Sequence, residues 1–350
     1  MNSRESILVT GGAGFLGAHL VRALLQDHRC QDFPVVVLDD LSGGFRENLP
    51  ISGRVEFREG SVTDHRLVED LFRTYSFRFV FHLAAYAAEG LSHFIRRFNY
   101  TNNLLGSINL INSAVLHRTQ HFVFTSSIAV YGSAQVPMRE STVPQPEDPY
   151  GIAKLAVESD LRAAHEQFGL NYTIFRPHNV YGEFQNLGDR YRNVVGIFMN
   201  RILQGQPLPV FGDGLQQRAF SYVGDLMQPL ISAPFVTASH NQIFNVGASE
   251  PASILQLAEV IGEEFGVNPR LEFLPARNEV KLAWADHTRS DEVFGLAAPT
   301  SLRQGVHLMA EWARSVGART SRFFGEIEIP RGLPPSWQNE GPSRSETMES

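Results

Sequence analysis

An α/β fold, with a doubly wound parallel sheet first and a smaller C-terminal α/β lobe after it, is predicted by three features of this 350-residue chain. Short, almost continuously apolar runs alternate with longer helical patterns, a glycine-rich turn joins the first run to the first helix, and the alternation breaks only after "FRPHNVYG". Strands that are apolar along their whole length need cover on both faces, and the helices that connect parallel strands supply it.

The chain is 43% hydrophobic and 19% charged, enough to bury a sizeable core. A net charge of −7 leaves no basic footprint, which argues against a nucleic-acid partner. The single cysteine, Cys30, excludes an internal disulfide, and no Cys/His spacing suggests a metal site. With no signal peptide and no run long enough to cross a bilayer, the expectation is a cytoplasmic protein without a membrane partner.

The first apolar run, "ILVT", passes into "GGAGFLGAHLVRALL", which sets Gly11, Gly14 and Gly17 between strand and helix. Small residues there allow a tight turn and bring backbone close to a pyrophosphate at the helix N-terminus. The second run, "VVVLDD", ends about twenty residues on at Asp39, as an acid that binds a ribose should. Such an acid repels a 2′-phosphate and favours NAD, with Arg46 leaving NADP as the alternative.

Next come "VEFREG", "FVFHLAA" and "HFVFTSS", the last offering Thr125, Ser126 and Ser127 at the carboxyl edge where open parallel sheets bind ligands. In "DPYGIAKLAVESDL", Asp148 caps a helix and Pro149 takes its first position. Tyr150 and Lys154, four apart, share one helical face. The sixth strand is "YTIFRP"; beyond it "NVVGIFMNRIL", "SILQLAEVIGEEF" and "SLRQGVHLMAEWARSV" read as helices, and "QIFNVG" as a strand. These boundaries give a dinucleotide-binding domain over 1–180, with segments near 219–247 returning to it, and a substrate lobe over 181–330. Residues 331–350, rich in Pro, Ser, Glu and Arg, are expected to be disordered.

A tyrosine with a pKa near 10 needs about 4 kcal/mol to act as a base at neutral pH. One cation about 4 Å away supplies that order of energy at an effective dielectric near 20. Lys154 is therefore a sufficient partner for Tyr150 on magnitude, with a strand-end hydroxyl to share the substrate oxygen.

"TGGAGFLG", "HLAA", "TSSIAVYG", "YGIAK" and "RPHNVYG" together resemble the extended short-chain dehydrogenase/reductase family, the sugar-nucleotide epimerases and dehydratases, up to about Val316. The resemblance implies a Rossmann-type domain in which Tyr150 takes a proton from a sugar hydroxyl, Lys154 holds the nicotinamide ribose and Ser127 hydrogen-bonds the reacting oxygen. It assigns to NAD the positions Gly11, Gly14, Phe15, Leu16, Asp39, Asp40, Ser61, Val62, Leu83, Ala84, Ala85 and Pro177, with Asn103 supporting the lysine. Ser61 stands where the family usually has Asp, as Ala219 does after Arg218.

Dehydratases of this family carry Asp-Glu at the two positions that are Ile128 and Ala129 here. Neither can transfer a proton, so oxidation and re-reduction at C4 through a transient 4-keto sugar is the expected reaction, and a 4-epimerase the expected enzyme. For the nucleotide-diphosphate sugar the resemblance implies Asn179 and Asn193 at sugar and phosphates, Val210 and Phe211 at the base, Arg218 and Arg277 at phosphate and Glu279 at ribose. Ala283 takes a gate position where a small residue implies room for an N-acetyl group. Arg190 and Arg192 offer partners for a uronic-acid carboxylate, with loop solvation as the alternative. Glu89 stands where relatives contact the reacting sugar, and would be the acid or base of a dehydratase or other-position epimerase. A homodimer, as is common in the family, is expected through the helices flanking the sheet.

Overall fold

A computed structural model describes residues 5–277, 280–320 and 324–338. Seven strands, β1 (Glu5–Thr10), β2 (Val35–Asp39), β3 (Val55–Glu59), β4 (Ser76–His82), β5 (His121–Thr125), β6 (Tyr172–Pro177) and β7 (Gln242–Val246), form one sheet in the order β7-β6-β5-β4-β1-β2-β3. Every neighbouring pair is parallel. The apolar runs are continuous because both faces are covered: Ile7, Val9, Val35 and Val37 pack with Leu20 and Leu24 on one side, while Leu8, Val36 and Leu38 pack with Val68 and Leu110 on the other.

The helices that matter for position are α1 (Phe15–Gln26), α2 (His65–Thr74), α3 (Glu89–Ser92), α4 (Arg96–Tyr100), α5 (Gly106–Leu116) and α6 (Pro149–Phe168). The chain leaves β1 toward β2 and β3 on one side and returns to β4 on the other. That reversal opens a crevice at the carboxyl ends of β1 and β4, the place where a doubly wound sheet receives its ligand.

A second core lies around the helices Val194–Leu203, Ile254–Phe265 and Leu302–Val316, with Phe198, Met199, Leu257, Ile261, Val306 and Met309 fully buried or nearly so. Between these elements β7 rejoins the main sheet at its edge, beside β6.

The expectation of disorder from residue 331 is overturned as far as Gln338; residues 339–350 lie outside the described residues. Leu333 and Trp337 are buried against Ala88, Leu91 and Ile95. Prolines at 330, 334 and 335 fix φ in advance, which lowers the entropy lost when these two apolar side chains are buried.

The glycine turn is packed to its limit. At Gly17 an added Cβ would stand 2.1 Å from the Gly11 carbonyl oxygen and 2.5 Å from the Gly12 Cα. Gly17→Ala is expected to lose about 1–3 kcal/mol in urea unfolding of the nucleotide-free protein; an unchanged midpoint would contradict this packing.

Candidate active site

The crevice is a cavity of about 1070 Å³ that runs from the glycine turn to the second lobe. Its chemical centre is built by β5 and α6. Asp148 caps α6 by accepting from the Gly151 amide (2.9 Å). An added Cβ at Gly151 would lie 2.6 Å from the Ala129 carbonyl oxygen, so the glycine after Tyr150 lets the helix start close against the turn Ile128–Tyr131.

Tyr150 and Lys154 are both buried, and Lys154 Nζ donates to the Thr125 carbonyl at 2.8 Å. Ser127 hydrogen-bonds Tyr150, and its Oγ also accepts from the Ala129 amide (3.1 Å). Ser126 and Thr125 are used otherwise: Ser126 Oγ donates to Glu158, and Thr125 Oγ1 donates to the His82 carbonyl. Of the three strand-end hydroxyls, Ser127 is the one joined to the tyrosine.

The electrostatics differ from the simple pairing expected of Lys154. Burial pushes the Tyr150 pKa up, opposed by the hydrogen bond from Ser127 and by Arg192, while Glu89 and Asp148 raise it further. Nζ stands 5.7 Å from the Tyr150 ring centroid, and the groups that lower the tyrosine pKa are Ser127 and Arg192 rather than Lys154. Lys154 itself is pushed down to about 7 by burial, with Glu158 one turn away acting in the other direction. In the ligand-free site burial therefore favours the neutral forms of both groups.

The residues of the nucleotide half fit NAD. Gly11 has φ +71°, and a Cβ on it would sit 2.7 Å from the Ala84 amide, so the turn forms a cradle that only glycine leaves open. Asp39 is buried and accepts from the Ala13 (3.0 Å) and Leu41 (2.8 Å) amides, which ties the turn to the end of β2; burial raises its pKa against those bonds. Gly14, Phe15, Leu16, Asp39 and Asp40 line the cavity, as do Ser61, Val62, Leu83, Ala84, Ala85 and Pro177. Arg46 instead lies over the Phe57 ring at 4.0 Å and is not among the lining residues.

Asn103 stands behind the crevice. It is buried in a π-helical turn, Thr101–Leu105, and is not among the lining residues. Its side chain accepts from the Tyr86 amide (2.8 Å) and donates to the Tyr86 carbonyl (3.1 Å) and to Asn99 (2.7 Å), so it braces the loop after β4.

In the other half, Asn179, Arg192, Asn193, Phe211, Arg218, Arg277, Ala283 and Glu89 all line the cavity. Val210 does not: in the strand Leu208–Phe211 side chains alternate, and Val210 is fully buried in the second core while Pro209 and Phe211 face the ligand space. Arg192 is tied to Asp189 (Nε to Oδ2, 2.6 Å) and stacks over Tyr86, while Arg190 is not a lining residue. Arg218 donates to the Val280 and Lys281 carbonyls, and Arg277 lies 3.7 Å from the Phe211 ring centroid. Glu279 lies outside the described residues.

Sequence reasoning missed several supports. Ser92 accepts from the Tyr150 amide (3.3 Å) and Asn99 donates to the Pro149 carbonyl (2.8 Å), so α3 and α4 fix the start of α6. Glu158 forms a buried pair with Arg176. Its spacing of four from Lys154 signals the charge it places near that lysine, but nothing local signals its pairing with Arg176 on β6.

The sign of the lysine titration follows from burial. Between about pH 7 and 10.5 the unfolded chain carries a proton at Lys154 that the folded, nucleotide-free chain has released, so stability rises with pH across this window. The stability difference between wild type and Lys154→Met, measured by urea unfolding, is expected to shift in favour of wild type from pH 7 to pH 10; a difference independent of pH would contradict the buried lysine.

Comparison with known proteins agrees with this geometry. The NAD dependent epimerase/dehydratase family model matches residues 7–247. A UDP-glucose 4-epimerase of Mycolicibacterium smegmatis is 33% identical over 314 residues, covering 88% of this chain and 98% of the relative. A mouse dTDP-D-glucose 4,6-dehydratase is 30% identical over 323 residues, 89% of each chain. The crystal structure of a Thermotoga maritima UDP-glucose 4-epimerase with UDP-glucose superposes with a TM-score of 0.83 at 33% identity, covering 89% of this chain and 99% of that one. The glycine cradle, the Ser127–Tyr150–Lys154 set and these matches identify the chain as a member of the NAD-dependent epimerase/dehydratase family.

Proposed function

We propose that the protein epimerises a nucleotide-diphosphate sugar at C4, the sugar being a UDP-hexose, UDP-N-acetylhexosamine or UDP-hexuronate. The observation that carries this is the surroundings of the Ser127–Tyr150 pair: Ile128 and Ala129 line the cavity beside it as apolar side chains. What NAD supplies when bound is reversible two-electron oxidation of a secondary alcohol. Tyr150 Oη takes the proton from the 4-hydroxyl and returns it to the same oxygen once the keto sugar has turned its opposite face to the cofactor, while Ser127 Oγ hydrogen-bonds that oxygen. Lys154, held by the Thr125 carbonyl, provides the positive charge that opposes the cost of a buried phenolate. Arg218 and Arg277 suit the diphosphate, since a guanidinium stays charged and can bind two oxygens at once. The small Ala283 leaves space for a substituent on the sugar.

A second reading, a dehydratase or other-position epimerase, is favoured by one observation: Glu89 lines the cavity and its charge acts on Tyr150. The enzyme is further proposed to be cytoplasmic and a homodimer. Leu105, Leu116, Ile152 and Phe168, on or beside α5 and α6, are exposed large apolar side chains that such an interface would cover.

The test is incubation with UDP-glucose, UDP-N-acetylglucosamine and UDP-glucuronate while the anomeric proton signals are followed by NMR. The C4 epimer of at least one is expected, with Tyr150→Phe slower by about 10²–10⁴-fold. A dehydrated or decarboxylated product from all three would overturn the C4 assignment.

A further inference from the structure

We propose that the segment from Phe324 to Gln338 is the outer wall of the sugar subsite, and that Trp337 is a specificity-determining residue that contacts the hexose. The inference rests on the nucleotide-sugar reading above.

The segment is fastened at several points to the elements that hold the catalytic helix. Glu328 caps α4 by accepting from the Arg97 (2.7 Å) and Phe98 (2.8 Å) amides, and the Glu328 amide donates to the Phe94 carbonyl (2.9 Å). The Phe324 amide donates to Tyr191 Oη (3.0 Å), and its ring packs edge-on against Phe98 (4.9 Å between centroids). This anchoring brings Gly332 through Trp337 into the cavity lining.

Trp337 is where three separate parts of the site meet. An added Cβ at Gly90 in α3 would stand 3.2 Å from the indole, so a larger residue there would crowd it. The Tyr191 ring lies edge-on at 5.3 Å, and the Arg277 guanidinium is 5.1 Å from the indole centroid as well as 3.7 Å from that of Phe211. Arg277 thus lies within reach of two aromatic rings, one from the second lobe and one from the C-terminal segment. The indole also meets α3, which begins with Glu89 and ends with Ser92, the residues that act on Tyr150 by charge and by hydrogen bond. With Arg277 assigned to the diphosphate and α3 to the surroundings of Tyr150, a ring near both falls on the sugar side of the cavity. Trp337 is 4% exposed, so what it offers a pyranose is the small apolar part of the indole that lines the cavity.

The size of the sugar pocket is then set from two directions: Ala283 leaves room at one side, and Trp337 removes it at another. The M. smegmatis and T. maritima enzymes are matched over 98–99% of their length by 88–89% of this chain, so about a tenth of the chain lies outside those matches.

The experiment compares wild type, Trp337→Ala and Trp337→Phe on the nucleotide sugar that wild type turns over, with the NAD content of each preparation recorded. Hydrogen exchange of wild-type residues 324–338 is measured with and without the same sugar nucleotide. The expectation for Trp337→Ala is a KM raised about tenfold or more with kcat within about threefold, NAD content unchanged, and most of the loss recovered in Trp337→Phe. The sugar nucleotide should also slow exchange across 324–338. An unchanged KM in Trp337→Ala overturns the wall. If that variant loses its NAD, wild-type exchange decides: slowing supports the wall, and no change overturns it. Absence of both turnover and binding in wild type overturns the nucleotide-sugar reading and the wall with it.

Discussion

The site depends on a cation held in a place that does not favour one. Lys154 is buried at the carboxyl edge of the sheet, and burial lowers its pKa to about 7. What keeps the ammonium there is local: the Thr125 carbonyl at 2.8 Å and the carboxylate of Glu158 one helical turn away. Glu158 is in turn held by Arg176 Nε (2.9 Å) on β6 and by Ser126, the residue after β5. A buried ion pair is weak evidence for stability, but removing one partner would strand a charge in the core. The pair therefore fixes the register of α6 against two strands, and with it the positions of Lys154 and Tyr150.

The rest of the architecture brings partners to that fixed point. The sheet reverses between β1 and β4, so the glycine turn, the end of β2 and the loop after β4 face the same crevice as β5 and α6. From the other side the second lobe contributes Asn179, Arg192, Phe211, Arg218 and Arg277. Burial raises the Tyr150 pKa and lowers that of Lys154, so the proton acceptor and its cation become charged more cheaply together than singly.

Much of this was legible in the sequence, for identifiable reasons. Continuous apolar runs show as parallel strands because both faces are buried, and the glycine turn and the "YGIAK" pair follow short-range rules of turn and helix geometry. Val210 was misplaced because a resemblance transfers a stretch of sequence, whereas a strand sends alternate side chains to opposite faces; its neighbours Pro209 and Phe211 line the cavity. The contacts of Asn103 with Tyr86 and Asn99 were not legible, because they depend on how the loop after β4 folds back onto the turn Thr101–Leu105. Trp337 escaped notice because the composition around it indicates disorder, and nothing local in sequence reveals that α3 offers a surface to receive it. Errors arose where long-range contact, not local pattern, decides.

The central claim is that this site oxidises and re-reduces one carbon without loosening any other carbon–hydrogen bond from the sugar. Ile128 and Ala129 offer no proton donor, and Glu89 is the acid that could make the claim fail. Turnover in deuterated water tests it most directly, by NMR or mass analysis of the product. The account predicts a C4 epimer with no deuterium on carbon; deuterium at C3 or C5 would contradict it and assign an acid–base role to Glu89.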